Sequence, residues 1–161
     1  MSVIDIDLAM KHLRAESEDL FDVQSKLDSA EDAAEQFLNR RVYVDDAALI
    51  AAMGTVVGLR AQYRLSFDAS LQAALLIENY ADRCMAESDA RSRHEESLRA
   101  AAMIARGIVL NKSITAACLL TLGHLWANRE DAVTGINTSS VIELPHGSRS
   151  LLVPYRVDLG V

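Results

Sequence analysis

The chain has 161 residues, of which 50% are hydrophobic but only 5% aromatic, and it contains 7 glycines and 2 prolines. That length fits one domain, and a composition rich in alanine and leucine with few helix breakers favours helices over sheets. A formal net charge of -7 argues against gripping nucleic-acid phosphates as the main activity, because proteins that do so carry a basic face.

The amino-terminal part of the chain predicts two helices. Asp5 can cap a short helix that ends near residue 13. Ser17 then caps a second helix to about residue 39, whose apolar side chains recur at three- and four-residue spacing. The opposite face carries carboxylates that form either a solvated face or a wall facing a channel. These candidate channel-facing residues are Asp22, Asp28, Asp32 and Glu35.

The middle of the chain predicts two further helical regions with less definite bounds. After a short break with β-branched residues at 40–44, a third helix spans residue 46 to about residue 63. Ser66 or Asp68 can cap a fourth region. Its charged middle, residues 87–96, is either an exposed helical stretch or a loop.

The carboxyl-terminal part combines a strongly apolar helix with a polar break and a tail. Asn111 or Ser113 caps a helix to about residue 130 that is apolar nearly all round over 116–122. Such a helix is expected at the centre of a bundle. We therefore predict an all-α fold, with a small bundle of about four to five helices in residues 1–135 and an extended arm in 136–161.

The arm carries apolar side chains and arginines on a segment too short to form its own core. Such a segment either folds back as a strap on its own domain or buries its side chains against a partner. Arginine guanidinium groups suit carboxylates at an interface. The candidate partner-binding residues are Leu144, Pro145, Arg149, Leu151, Leu152, Pro154, Tyr155 and Arg156. If they bind a partner, deletion of residues 142–161 should leave a folded helical body.

No arrangement of residues in the sequence predicts catalysis. The 4 histidines lack metal-ligand spacing, and no phosphate-binding glycine loop or nucleophile motif occurs. Cys84 and Cys118 have no CxxC spacing and are expected to be small buried hydrophobes. We expect a protein that is not an enzyme, with no catalytic residues, metal site or cofactor. The apolar runs are too short to span a bilayer, so no membrane partner is expected either.

Three segments of the chain carry distinctive residues: DLAMKHLR at residues 7–14, LGHLWANRE at 122–130 and LPHGSRSLLVPYR at 144–156. Together they resemble the head–tail connector, or adaptor, proteins of long-tailed bacteriophages. The last is similar to the family's Leu-Pro-x-Gly-x-Arg-x-Leu-Leu-x-Pro-Tyr-Arg ending. The middle of the chain, about residues 42–96, departs from the family because it is longer than in a typical member.

The resemblance implies a structural virion protein, made in the host cytoplasm and located at the head–tail junction. Its subunits would assemble with one another into a ring, as a dodecamer, beneath the portal protein. The ring would extend the DNA channel without sequence-specific DNA binding and would offer a docking surface to a stopper or tail-completion protein. An acidic lumen suits this role, because it lets DNA slide without sticking. The carboxyl-terminal segment would reach the portal or a neighbouring subunit.

Two other classes of protein remain open at this point. A DNA-recognition ring subunit of the packaging machinery, similar to small terminase proteins, would need a helix-turn-helix with a basic recognition face, and none is visible. A small metabolic enzyme or ligand-binding bundle would need a polar pocket, which only a structure can reveal.

Overall fold

The computed structural model describes residues 2–128 and 144–157. Over this part of the chain the fold is all-α, with six α-helices and one pair of two-residue strands, which confirms the predicted fold class. In chain order the helices are α1 (Ile6–Leu13), α2 (Leu20–Leu38), α3 (Asp46–Leu75), α4 (Tyr80–Ala105), α5 (Lys112–Ala127) and α6 (His146–Leu152). The strands are β1 (Val42–Tyr43) and β2 (Ile108–Val109), and short 3-10 turns occur at Ser17–Asp19 and Val153–Tyr155.

The chain divides into two compact units. The core unit comprises residues 2–46, 108–128 and 144–157 of the described chain, and the inserted unit is Ala47–Gly107. The sequence did not predict this insertion. The predicted boundary between residues 135 and 136 lies outside the described residues, and the described part of the arm belongs to the core unit.

Two helices of the core unit begin at side-chain caps that the sequence predicts. The Asp5 carboxylate accepts a hydrogen bond of 2.9 Å from the N–H of Asp7 at the start of α1. The Asn111 side-chain oxygen accepts hydrogen bonds from the N–H groups of Ser113 and Ile114, each at 3.0 Å, at the start of α5. Each cap satisfies N–H groups that lack a partner within the helix.

The entry into α2 differs from the predicted one. Ser17 does not cap the helix but begins the 3-10 turn, and Glu16 and Asp19 form a reciprocal capping box around it. At its other end α2 stops at Asn39, whose backbone is left-handed with φ of 53°. Asparagine tolerates this conformation better than most residues, so the chain can reverse there.

Helix α5 packs against α1, α2 and α6 and therefore lies at the centre of the core unit. This is the position that its nearly uniform apolar sequence predicts. The largest fully buried apolar side chains are those of Val23, Leu27, Leu38, Ile114, Leu122 and Leu152. The last of these comes from α6, so the tail contributes to the same core as α2 and α5.

The two short strands pair in parallel within the core unit. Val42 lies opposite Ile108 and Tyr43 opposite Val109, and the N–H of Leu110 donates to the Tyr43 carbonyl at 2.7 Å. The sequence predicted only a break with β-branched residues around β1. The inserted unit occupies the stretch of chain between these two strands.

The inserted unit is an antiparallel hairpin of α3 and α4. Tyr63 and Phe67 on α3 line the same cleft as Ser97 and His94 on α4, and the rings of Phe67 and His94 are stacked. Along the cleft the residue numbers rise on α3 and fall on α4, so the two helices run in opposite directions. The predicted end of the third helix near residue 63 is wrong, because α3 continues without interruption to Leu75.

The predicted caps Ser66 and Asp68 are wrong for the same reason, since both lie inside α3. The cap of α4 is Asn79, whose side chain accepts hydrogen bonds from the N–H groups of Ala81 and Asp82. The charged stretch at residues 87–96 is helical, which resolves the alternative between an exposed helix and a loop.

Candidate functional site

The described part of the tail packs on its own core unit. Leu152 is 0% exposed and lies in the hydrophobic core with α2 and α5. Two buried hydroxyls, those of Thr121 on α5 and Ser148 on α6, form a hydrogen bond of 3.1 Å across the same contact. The Thr121 hydroxyl also lies 3.0 Å from the Ala117 carbonyl within α5, so it is the buried Ser148 hydroxyl that depends on the packing of α6 against α5 for this partner.

Three hydrogen bonds hold the end of the tail against the end of α2. The N–H of Val157 donates to the Leu38 carbonyl at 3.1 Å, and the Asn39 side chain donates to the Val157 carbonyl at 3.1 Å. The Arg40 guanidinium donates to the Tyr155 carbonyl at 3.3 Å. The same chain reversal that ends α2 therefore also holds the tail.

The two tail arginines share one aromatic ring. The guanidinium of Arg149 lies 5.8 Å from the ring centroid of Phe37, and that of Arg156 lies 4.8 Å from it. Cations over an aromatic face are attracted by about 0.5–1 kcal/mol at exposed sites. The sequence assigned these guanidinium groups to carboxylates of a partner, whereas the structure gives both an intramolecular contact on α2.

The predicted partner-binding residues therefore separate into two groups. The prediction that Leu152 binds a partner needs correction, because a side chain in the core cannot contact a partner while the tail stays docked. Packed against that core and partly buried are Leu144, Leu151 and Tyr155. Pro145 and Arg156 are also half-buried, whereas Arg149 and Pro154 are exposed. The expectation that a truncated body stays folded is revised, since truncation removes a core leucine.

The predicted acidic face of α2 is only partly a solvated face. Asp28 and Asp32 are exposed, and the half-buried Asp22 forms an ion pair with Lys26 one turn later. These three carboxylates lie where the sequence placed them, on the face of α2 away from the buried stripe.

The prediction that Glu35 belongs to the acidic face needs correction, because Glu35 is only 9% exposed and does not share that face. Its carboxylate accepts a hydrogen bond of 2.8 Å from the N–H of Val42 and pairs with the Arg41 guanidinium. Its charge also contributes, after burial, to raising the pKa of Tyr43 above its ordinary value. Glu35 therefore holds β1 against the last turn of α2.

A second carboxylate of α2 has a structural role that the sequence analysis missed. Glu31 accepts hydrogen bonds from the N–H groups of Val3 and Ile4 at 2.9 and 2.8 Å, and from the Ser2 hydroxyl at 2.7 Å. Glu31 therefore fixes the position of the residues that precede α1. A signal was present, since Glu31 lies four residues after Leu27 and thus beside the apolar stripe of α2.

The two cysteines differ in environment. Cys118 is buried, and burial, helped by the nearby charges of Glu31 and Glu35, raises the pKa of its thiol to about 12. A thiol in that state is unreactive at neutral pH. Cys84 is exposed on α4, which corrects the expectation that both are buried.

A polar cleft of about 140 Å³ opens between α3 and α4 of the inserted unit. Its lining residues are Tyr63, Ser66, Phe67, Ser70, Ala90, Arg93, His94 and Ser97. The rings of Phe67 and His94 are stacked with centroids 4.4 Å apart and an angle of 14° between their planes. This is the polar pocket that the ligand-binding alternative requires.

Within residues 2–128 and 144–157, no group of three or more metal-ligating side chains is brought together. No helix in the same part of the chain combines the length and apolar character needed to cross a bilayer. Comparison of the chain with protein-family models, curated proteins and solved structures found no match.

Proposed function

We propose that the chain is a structural virion protein: a head–tail connector whose subunits form a ring under the portal protein. The ring extends the DNA channel and provides the docking surface for a stopper or tail-completion protein. The proposal starts from the three sequence segments that resemble the connector family and from the place each of them takes in the fold.

The observation that carries the proposal is the packing of those three segments in one unit. The first lies on α1, the second ends α5 and the third forms α6 with its 3-10 turn, and α5 contacts both α1 and α6. A Cβ at Gly123 would lie 3.8 Å from the Nε2 atom of His12, so the first two segments meet directly. Segments far apart in the chain thus belong to one structural unit, as expected if the resemblance covers the whole core unit.

Burial limits which tail residues are open to the proposed partner. In the proposed assembly Leu152 stays in the core, and the tail docks through its outer side. That side includes Arg149, Pro154 and the neighbouring Val153, which is 46% exposed although it is apolar. Arginine is enriched at protein interfaces, and the exposed Val153 beside it adds apolar surface that a partner could bury.

Burial also limits which residues of α2 are open to the proposed channel. Asp28 and Asp32 lie one turn apart on the exposed face of α2, and they remain the candidates for a lumen that repels DNA phosphates. Glu35 leaves this set, because its carboxylate is occupied by the chain at β1.

Electron microscopy of the purified protein, alone and mixed with its portal protein, tests the proposal. We expect rings stacked on the portal. An Arg149→Glu variant should weaken portal binding without unfolding the protein, because the residue is exposed. The matched control is Arg91→Glu, which reverses an exposed charge on α4 of the inserted unit.

A mixture without rings, or equal losses for the two variants, would count against the proposal. Tight, salt-sensitive binding to duplex DNA would instead support the alternative of a small terminase-like DNA-recognition ring, since phosphate contacts make affinity fall steeply with salt.

A further inference from the structure

The cleft between α3 and α4 lies within the inserted unit. Its volume of about 140 Å³ is roughly ten times what one water molecule requires. It therefore has room for a group of several non-hydrogen atoms.

Cationic and hydroxyl groups line the cleft, and no carboxylate is among its lining residues. Arg93 uses its Nε–H on the Asp89 carbonyl at 3.3 Å, which leaves its terminal N–H groups as donors. Tyr63 and Ser66 add hydroxyl groups to the lining. A lining with a guanidinium and hydroxyl groups but no carboxylate favours an anion over a cation.

Two further serines complete the lining with acceptors. Ser70 donates its hydroxyl proton to the Ser66 carbonyl at 2.9 Å, and Ser97 donates to the Arg93 carbonyl at 2.8 Å. Their oxygens keep lone pairs that can accept a hydrogen bond from a protonated ligand oxygen.

His94, which lines the cleft, carries an unsatisfied polar atom. The Nδ1 atom of His94 is buried and has no hydrogen-bond partner among the described residues. Stacking on Phe67 fixes the plane of the imidazole ring, so the ring is held rather than free to turn toward water. A buried polar atom without a partner costs about 1–3 kcal/mol. Because this nitrogen is closed off from solvent, a ligand in the cleft would meet the imidazole ring at its other atoms, and the ring serves as a reporter of the site.

We propose that this cleft binds a small tetrahedral oxyanion with the chemistry of phosphate. Arg93 supplies the charge, the hydroxyls of Tyr63 and Ser66 donate to the ligand oxygens, and the imidazole ring of His94 lies in the wall of the site. The site lies wholly in the inserted unit, and the proposal does not rest on the proposed connector function.

Nuclear magnetic resonance of the full chain tests the site, with inorganic phosphate as the probe and chloride at matched ionic strength as the reference. The ring signals of His94 are identified by their loss in His94→Phe, a change that keeps the stack on Phe67. We expect saturable phosphate-dependent shifts of these signals in the unmodified protein. Arg93→Gln should weaken phosphate affinity about tenfold or more, whereas Arg99→Gln, which removes an exposed charge from the same helix, should leave it within about twofold.

Two readouts separate the site from a nonspecific charge effect or a fold defect. Thermal unfolding of His94→Phe should match or exceed that of the unmodified protein, because the unsatisfied nitrogen is gone. Glycerol phosphate, used in place of inorganic phosphate, distinguishes two kinds of site. A site for a phosphate ester binds glycerol phosphate at least as tightly as inorganic phosphate, whereas a site for the free ion excludes glycerol phosphate. The proposal is overturned if His94 responds equally to chloride, if the two arginine variants lose affinity equally, or if no saturation occurs and the cleft holds water alone.

Discussion

Replacement of Leu152 by alanine is the most direct test of how the tail is held. The side chain is 0% exposed and lies in the core formed with α2 and α5. The change removes three carbon atoms, which at about 0.8 kcal/mol per buried methylene amounts to about 2.4 kcal/mol of transfer free energy. The cavity left behind adds to this, so we expect Leu152→Ala to lower the free energy of unfolding by about 3–4 kcal/mol.

The matched control is Val153→Ala, one residue further along. Val153 is 46% exposed, so the same kind of truncation should cost below about 0.5 kcal/mol. Urea denaturation, followed by the fluorescence of Trp126, measures the free energy of unfolding of both variants with a probe that lies in the core unit. Trp126 is the only tryptophan of the chain and packs against the same core, with the Lys26 ammonium 5.8 Å from its ring centroid.

A loss of about 3 kcal/mol is a large fraction of the stability of a typical domain. If Leu152→Ala and Val153→Ala cost equally little, the tail does not belong to the core, and a tail that leaves its own domain to bind a partner regains support. If both cost several kcal/mol, the assignment of inner and outer sides of the tail is wrong.

Three further changes test the supports around the core. Glu35→Ala leaves the N–H of Val42 buried and unpaired and should cost about 1–3 kcal/mol in urea denaturation, whereas Asp32→Ala on the exposed face of α2 should cost below about 0.5 kcal/mol. Asn111→Ala removes the cap of α5 and should lower stability by about 1 kcal/mol, measured by thermal unfolding. Burial raises the pKa of Cys118 from 9.0 to about 12, so stability present below pH 9.0 should be lost as the pH rises toward 12, by about 1.4 kcal/mol per pH unit. The difference in stability between the unmodified protein and Cys118→Ala should shift with that slope, and a flat difference would show that the thiol is not desolvated.

Helices with a definite cap and a regular apolar stripe were predictable from the sequence. The caps Asp5 and Asn111 are found where short polar side chains precede periodic apolar residues. The hairpin was harder, because α3 is apolar on more than one side and its sequence also offers Ser66 and Asp68 as false caps. The real turn is marked only by Asn79, and no proline or glycine accompanies it.

The carboxylates of α2 show a second limit of sequence reasoning. Periodicity places a residue on a face of its helix but does not say which backbone groups of other segments come to that face. Glu31 and Glu35 lie beside the apolar stripe and are drawn inward by the N–H groups of the amino terminus and of β1. Asp28 and Asp32 have no such neighbours and stay exposed. The position of Glu31 beside the stripe was visible in the sequence, but the backbone groups that it meets were not.

The tail shows a third limit. Its short apolar run predicted that the tail buries apolar side chains against another surface. That surface could belong to its own domain or to a partner. Only the structure shows that Leu152 and Ser148 are buried in the core unit. The cleft between α3 and α4 could not be predicted from the sequence either, since Tyr63, Arg93 and His94 come together only where α3 and α4 lie side by side.

The parallel pairing of β1 with β2 closes a loop that contains residues 44–107. The entropy lost on closing such a loop grows only with the logarithm of its length, by about 0.6 kcal/mol per doubling. Helices α3 and α4 can also form and pair through contacts that are local in sequence before the strands meet, which brings the ends of the loop together early. The insertion therefore adds little to the entropic cost of folding the core unit, and its two helices can gain or lose turns in evolution while β1 and β2 keep their register.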